Sequence, residues 1–154
     1  DLREIFLKKL VKLNNELKFN FFGIDKKQPI WAENFKTELS KCKMALNLSQ
    51  GSPLKFYSSD RIAQLMGNGI LTFVDIRTKL NKLFNHNEVV FYKSIEDLSK
   101  KINKYKDSQN LRNKIAFNGM NKYHKHMNSE KVACFIINRT LNINPNKKFF
   151  WENK

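Results

Sequence analysis

Much of the usual chemical punctuation is missing from this sequence. Two cysteines occur in 154 residues, and Cys42 and Cys134 have neither metal-site nor redox-motif spacing. Each falls at an apolar helical position, so both read as buried thiols in a reducing compartment rather than as a disulfide. No G-x-G-x-x-G turn, Walker lysine loop or nucleophile elbow is present, which removes three common nucleotide and hydrolase signatures. No His, Cys, Asp and Glu cluster has metal-ligand spacing, so no metal and no cofactor is expected. Internal repeats, low-complexity runs and flexible linkers are absent too, and the whole of 1–154 reads as one domain. No stretch is long and apolar enough to span a bilayer. There is no signal peptide, and the expected location is cytoplasmic, with peripheral contact at the inner membrane face as the remainder.

Acidic residues are the scarce charge: 14 against 29 lysines and arginines, for a formal charge of +15. Such an excess ordinarily points to nucleic acid or an anionic membrane surface. Here the lysines are spread along the chain and travel with many Asn, Ile and Phe, the joint enrichment that an AT-rich genome imposes on solvated positions. The charge therefore reads as compositional drift, with weak membrane association as the residual and nucleic acid disfavoured. Hydrophobic residues make up 41% and phenylalanine occurs 13 times, enough for a packed core.

Leu2, Phe6, Leu10 and Leu13 recur at helical spacing and predict a helix over 2–16. Because no strand precedes it, the chain is expected to start inside a larger protein. Phe19 to Ile24 reads as a strand, Trp31 to Cys42 as a helix, and Met44 to Ser49 as a second, buried strand. Tyr57 to Asp75 (YSSDRIAQLMGNGILTFVD) is the centre of the chain. Ser58, Ser59 and Asp60 offer helix caps, Ile62, Leu65 and Met66 form one apolar face, and Gly67-Asn68-Gly69 ends the helix. Ile70 to Val74 then runs apolar without alternation, as a strand covered on both faces does. A short helix through Leu80, Leu83 and Phe84, a strand from Val89 to Tyr92 and three further helices follow. The first of these is capped by Ser94 with Asp97, and the last turns Val132, Phe135 and Ile136 inward. Residues 142–154 are left as an aromatic tail. Strands alternating with helices predict an α/β, Rossmann-like parallel sheet of about four strands sandwiched by helices.

The run S-S-D-R-I-A-Q-L-M-G-N-G-I-L-T-F resembles the donor-binding segment of GT-B glycosyltransferases, in the "glycosyl transferases group 1" branch that includes CgeB-like proteins. Phe21-Phe22-Gly23 and Ala45 to Ser49 upstream keep that family's order, as do Glu88 to Tyr92, Ser94 to Leu98 and Leu111 to Gly119 downstream. The resemblance covers roughly 3–141. It implies the C-terminal, nucleotide-sugar-binding domain of a two-domain enzyme, whose acceptor site and catalytic base belong to an N-terminal domain of the same protein. The family needs no bound metal.

In an open parallel sheet, ligands collect beyond the carboxyl ends of the strands. That edge is addressed by Asp25, by Gln50, Gly51 and Ser52, by Asp75 and by Lys93. The helix opening at Ser58 points its free amides there, so Ser58, Ser59 and Arg61 are the candidate diphosphate ligands. Two glutamates commonly flank this segment in the family. The ribose position falls here on Gln64 and the sugar position on Phe56; the Gln50 to Pro53 loop is the remaining approach to ribose or sugar. No base is identified, and His86, His124 and His126 read as surface histidines. Two rival readings stand beside this one: a basic α/β module for nucleic acid or anionic membrane, and a non-catalytic domain that has kept the fold.

Overall fold

The computed structural model describes residues 2–24, 26–49, 51–144 and 148–152. Two helices come first, α1 (Leu2–Leu13) and α2 (Ala32–Ser40), followed by strand β1 (Met44–Asn47). Helix α3 (Asp60–Gly67) leads into β2 (Leu71–Asp75), two 3-10 turns (Ile76–Thr78 and Leu80–Lys82) and β3 (Val90–Tyr92). Three helices close the chain: α4 (Ile95–Lys106), α5 (Gln109–His126) and α6 (Ser129–Thr140).

The sheet has three strands in the order β1-β2-β3, all parallel. Met44 pairs with Leu71 and Asn47 with Val74, while Phe73 pairs with Val90 and Asp75 with Tyr92. Every residue of β2 and β3 is buried, which is why these strands read as unbroken apolar runs. The pleat divides the core into two layers. Leu71, Phe73, Val90 and Tyr92 face α1 and α4, meeting Leu10, Leu98, Ile102 and Tyr105. Val74 and Phe91 face α3, meeting Ile62, Met66, Leu80 and Phe84. Helices thus flank a parallel sheet on both sides, the α/β, Rossmann-like architecture that the alternation predicts.

Local chemistry explains the joints. Helix α3 ends in a Schellman arrangement: the Ile70 amide donates to the Leu65 carbonyl and the Gly69 amide to Met66, both at 3.0 Å, with Gly69 at φ +68°. Helix α4 begins with a capping box shifted by one residue. The Asp97 amide donates to Ser94 Oγ, and the Asp97 carboxylate accepts from the Lys93 amide. Between α1 and α4 lies buried Asn14, whose Oδ1 accepts from Ser99 Oγ and Asn103 Nδ2, both at 3.0 Å. Arg112 on α5 is buried as well, and its Nη1 donates to the Tyr105 carbonyl at the end of α4 at 2.6 Å.

Four expectations are corrected. Phe19 to Ile24 is not a strand, so the sheet has three strands rather than four. Phe19 instead packs against the α1–α4 core and stacks on Phe21 at 5.8 Å, while Gly23 turns the chain at φ +70°. The region through Leu80 forms two 3-10 turns rather than a short α-helix. Val132 and Ile136 do not face inward. Helix α6 has no buried residue and docks through Phe135, edge-on to Phe149 and Trp151. Cys42 is half-buried and Cys134 exposed, both as free thiols, so neither is the buried core thiol expected. Within the expected aromatic tail, Phe150 meets Phe84 edge-on and stacks on His126. Pro145 and Asn146 lie outside the described residues.

Candidate functional site

The carboxyl edge of the sheet is where β1 and β2 turn into their following segments and where α3 and α4 begin. At the end of β1, buried Asn47 accepts a hydrogen bond from Ser59 Oγ at 3.2 Å. Ser59 is the N-cap residue of α3 by backbone geometry, yet its hydroxyl makes no bond to the helix amides. The α3 amino end therefore keeps its donors facing the edge. Arg61, one residue into the helix, donates from Nη1 to the Leu48 carbonyl at 2.7 Å. That bond fixes an exposed guanidinium beside the end of β1.

Ser58 is exposed and faces the Tyr123 hydroxyl; burial pushes that phenol above its ordinary pKa, the Ser58 hydrogen bond opposes the shift and nearby Asp60 adds to it. Gln64 sits one helical turn beyond Arg61, half-buried on the same side of α3. Phe56 is exposed at φ +59°, its amide donating to the Thr78 carbonyl at 2.7 Å. That bond ties the loop before α3 to the turn after β2. Gly51 and Ser52 are exposed in the loop leaving β1, with Gly51 at φ +81°. Gln50 and Asp25 lie outside the described residues. The edge thus gathers Ser58, Ser59 and Arg61 with the β1 end.

The sequence pattern places Asp75 at this edge without giving it a role and does not single out Arg77. Asp75 is buried, and its carboxylate accepts three bonds from Arg77: from Nε to both oxygens at 3.1 Å and from Nη2 at 2.7 Å. It also accepts the Arg77 amide at 2.8 Å, capping the first 3-10 turn. This bond network and charge hold the guanidinium proton more firmly than usual. The Arg77 side chain is nevertheless 66% exposed. The available signal was Asp-x-Arg at the close of a buried, mostly apolar strand, which places a fork-shaped cation at the carboxyl edge.

The histidines lie elsewhere. His124 Nε2 meets the Gly67 carbonyl at 2.9 Å, at the opposite end of α3 from Arg61. His86 is edge-on to Phe91, and His126 is held below its ordinary pKa by burial and by Lys122, Lys125 and Lys131. Among the described residues no group of His, Cys, Asp and Glu is placed to hold a metal ion, and no helix is long and apolar enough to cross a membrane. A surface cavity of about 510 Å³ lies between the start of α1 and the loop 23–29, lined by Glu4, Lys26 and Lys27 among others. No residue of α3 lines it, so it is separate from the edge described above.

The fold defines an α/β protein of Rossmann-like architecture. The model of the glycosyl transferase-like family matches residues 3–138, and the chain belongs to that family. No curated protein and no solved structure matches the chain. Membership supports glycosyl transfer, with a sugar donor and an acceptor, in general terms.

Proposed function

We propose that this chain is the donor-binding domain of a GT-B glycosyltransferase of the CgeB-like branch, which takes a nucleotide-sugar at the amino end of α3. One observation carries the reading. Arg61 is anchored on the Leu48 carbonyl where β1 ends, beside helix amides that the Ser59 hydroxyl leaves uncapped. An aligned helix end and a guanidinium are the groups that stabilise a departing diphosphate electrostatically, without a metal. In this reading Ser58, Ser59 and Arg61 hold the diphosphate and Gln64 meets the ribose. Gln50, Gly51 and Ser52 approach the sugar. Gln64 retains hydrogen-bonding capacity where the family commonly has glutamate, whereas Phe56 has none. The acceptor and the catalytic base belong to an N-terminal domain of the full-length protein, so the chain alone binds donor nucleotide without turnover.

The test is calorimetric titration with UDP and GDP, in wild type and Arg61→Ala. The variant is expected to keep its far-UV circular dichroism and lose about tenfold or more in affinity, the scale of one charge-assisted contact. Equal affinities would remove Arg61 from the site. A short oligonucleotide titrated at two salt concentrations tests the basic-module alternative, which requires binding that falls steeply with salt.

A further inference from the structure

The two arginines at the carboxyl edge are seated on one row of the sheet. Asn47 pairs with Val74, so the next residue, Leu48, lies beside Asp75, and Asp75 pairs with Tyr92. Arg61 is anchored to the Leu48 carbonyl and Arg77 to the Asp75 carboxylate, on adjacent strands. Neighbouring strands lie about 4.8 Å apart, so the two anchors stand at adjacent strand ends. Both guanidinium groups keep unused donors: of five N–H bonds, Arg77 directs those of Nε and one of Nη2 at Asp75. Nη1 of Arg77 has no partner among the described residues.

The same row contains an unusual group. Tyr92 is 1% exposed, and its hydroxyl has no hydrogen-bond partner among the described residues. As register partners, Tyr92 and Asp75 project from the same face of the sheet. The phenol is pushed far above its ordinary pKa by burial and by the Asp75 charge, against the opposing effect of Arg77, so it remains a donor at neutral pH. An unpaired buried hydroxyl on the register partner of a carboxylate already occupied by an arginine makes sense if that arginine has a second position.

Building on the donor-site reading, we propose that Arg77 is a second ligand of the donor diphosphate. It turns from Asp75 to bridge the phosphates with Arg61 while the Tyr92 hydroxyl donates to the carboxylate it leaves. Asp75 and Tyr92 are then positioning residues, and the buried charge is never without a partner.

The experiment is UDP and UMP titration of wild type, Arg77→Gln, Tyr92→Phe and Arg61→Ala, with thermal melts of each. Arg77→Gln keeps a donor for Asp75 and so protects the fold. It is expected to weaken UDP by about tenfold and to compress the UDP-to-UMP preference. Tyr92→Phe is expected to melt no lower than wild type, since no bond is lost, yet to weaken UDP several-fold. Wild-type UDP affinity in Arg77→Gln would overturn the second ligand, and wild-type affinity in Tyr92→Phe would overturn the exchange. If Arg61→Ala alone lost binding, the donor site would stand and this proposal would fall. A wild type that binds neither UDP nor GDP would overturn both.

Discussion

Gly119 shows how one missing side chain sets a helix in place. A Cβ there would come within 2.2 Å of the Glu88 carbonyl oxygen, so α5 lies directly against the loop that feeds β3. Lys122, one turn on, faces the Glu88 carboxylate at 3.5 Å. Because the clash is with backbone, no rotamer relieves it. Gly119→Ala is expected to cost about 1–3 kcal/mol, the usual penalty of overpacking, read as a lower midpoint in urea with an unchanged slope. Asn14 and Arg112 make the complementary point with polar atoms: each is buried with its partners satisfied, and each joins α4 to a neighbouring helix. Neither role is visible in the sequence, where both residues read as ordinary solvated positions.

At the level of elements, the best-specified joint is the start of α4. Ser94 accepts from the Asp97 amide at 3.2 Å, and Asp97 also takes Lys101 Nζ at 2.7 Å. Ser94→Ala is expected to lose about 1 kcal/mol, the typical worth of an N-cap, measurable by thermal melting. Helix α3 and strand β2 are equally legible, because a cap cluster, a Gly-Asn-Gly stop and an apolar run are all local signals. Phe19 to Ile24 failed as a strand for a non-local reason. Phe19 packs on the α1–α4 core and Phe21 stacks on Phe19, and no ladder partner is engaged among the described residues. Helix α6 forms where its periodicity places it, but its expected inward face fails for a similar reason: Val132 and Ile136 are exposed, and Phe135 docks edge-on to Phe149 and Trp151.

For the molecule as a whole, the tyrosines set an alkaline limit. Tyr92, Tyr105 and Tyr123 all have pKa values raised above 10.0, with burial as the largest cause. The folded state thus binds these protons more tightly than the unfolded chain. Their contribution is complete below pH 10 and is lost as pH rises past it. Lysine deprotonation relieves charge repulsion over the same range, so the informative quantity is a difference. The wild-type melting temperature is expected to fall relative to Tyr92→Phe above about pH 10 and to run parallel below it. Parallel curves throughout would show that the phenol ionises without opening the core.

The sequence by itself determined the class of fold, the three strands of the sheet, the helix that opens at its carboxyl edge and the family. These rest on short-range patterns, such as caps, stops, apolar runs and their order, which each segment carries within itself. Ser58, Ser59, Arg61 and Gln64 could be named as candidates for the same reason: they belong to one helix start. What only the tertiary structure decided is which residues stand together from different strands. The row of Leu48, Asp75 and Tyr92, the seating of Arg77 on a buried carboxylate and the unpaired phenol beside it depend on register between strands far apart in the chain. Register follows from the whole packed sheet rather than from any one segment.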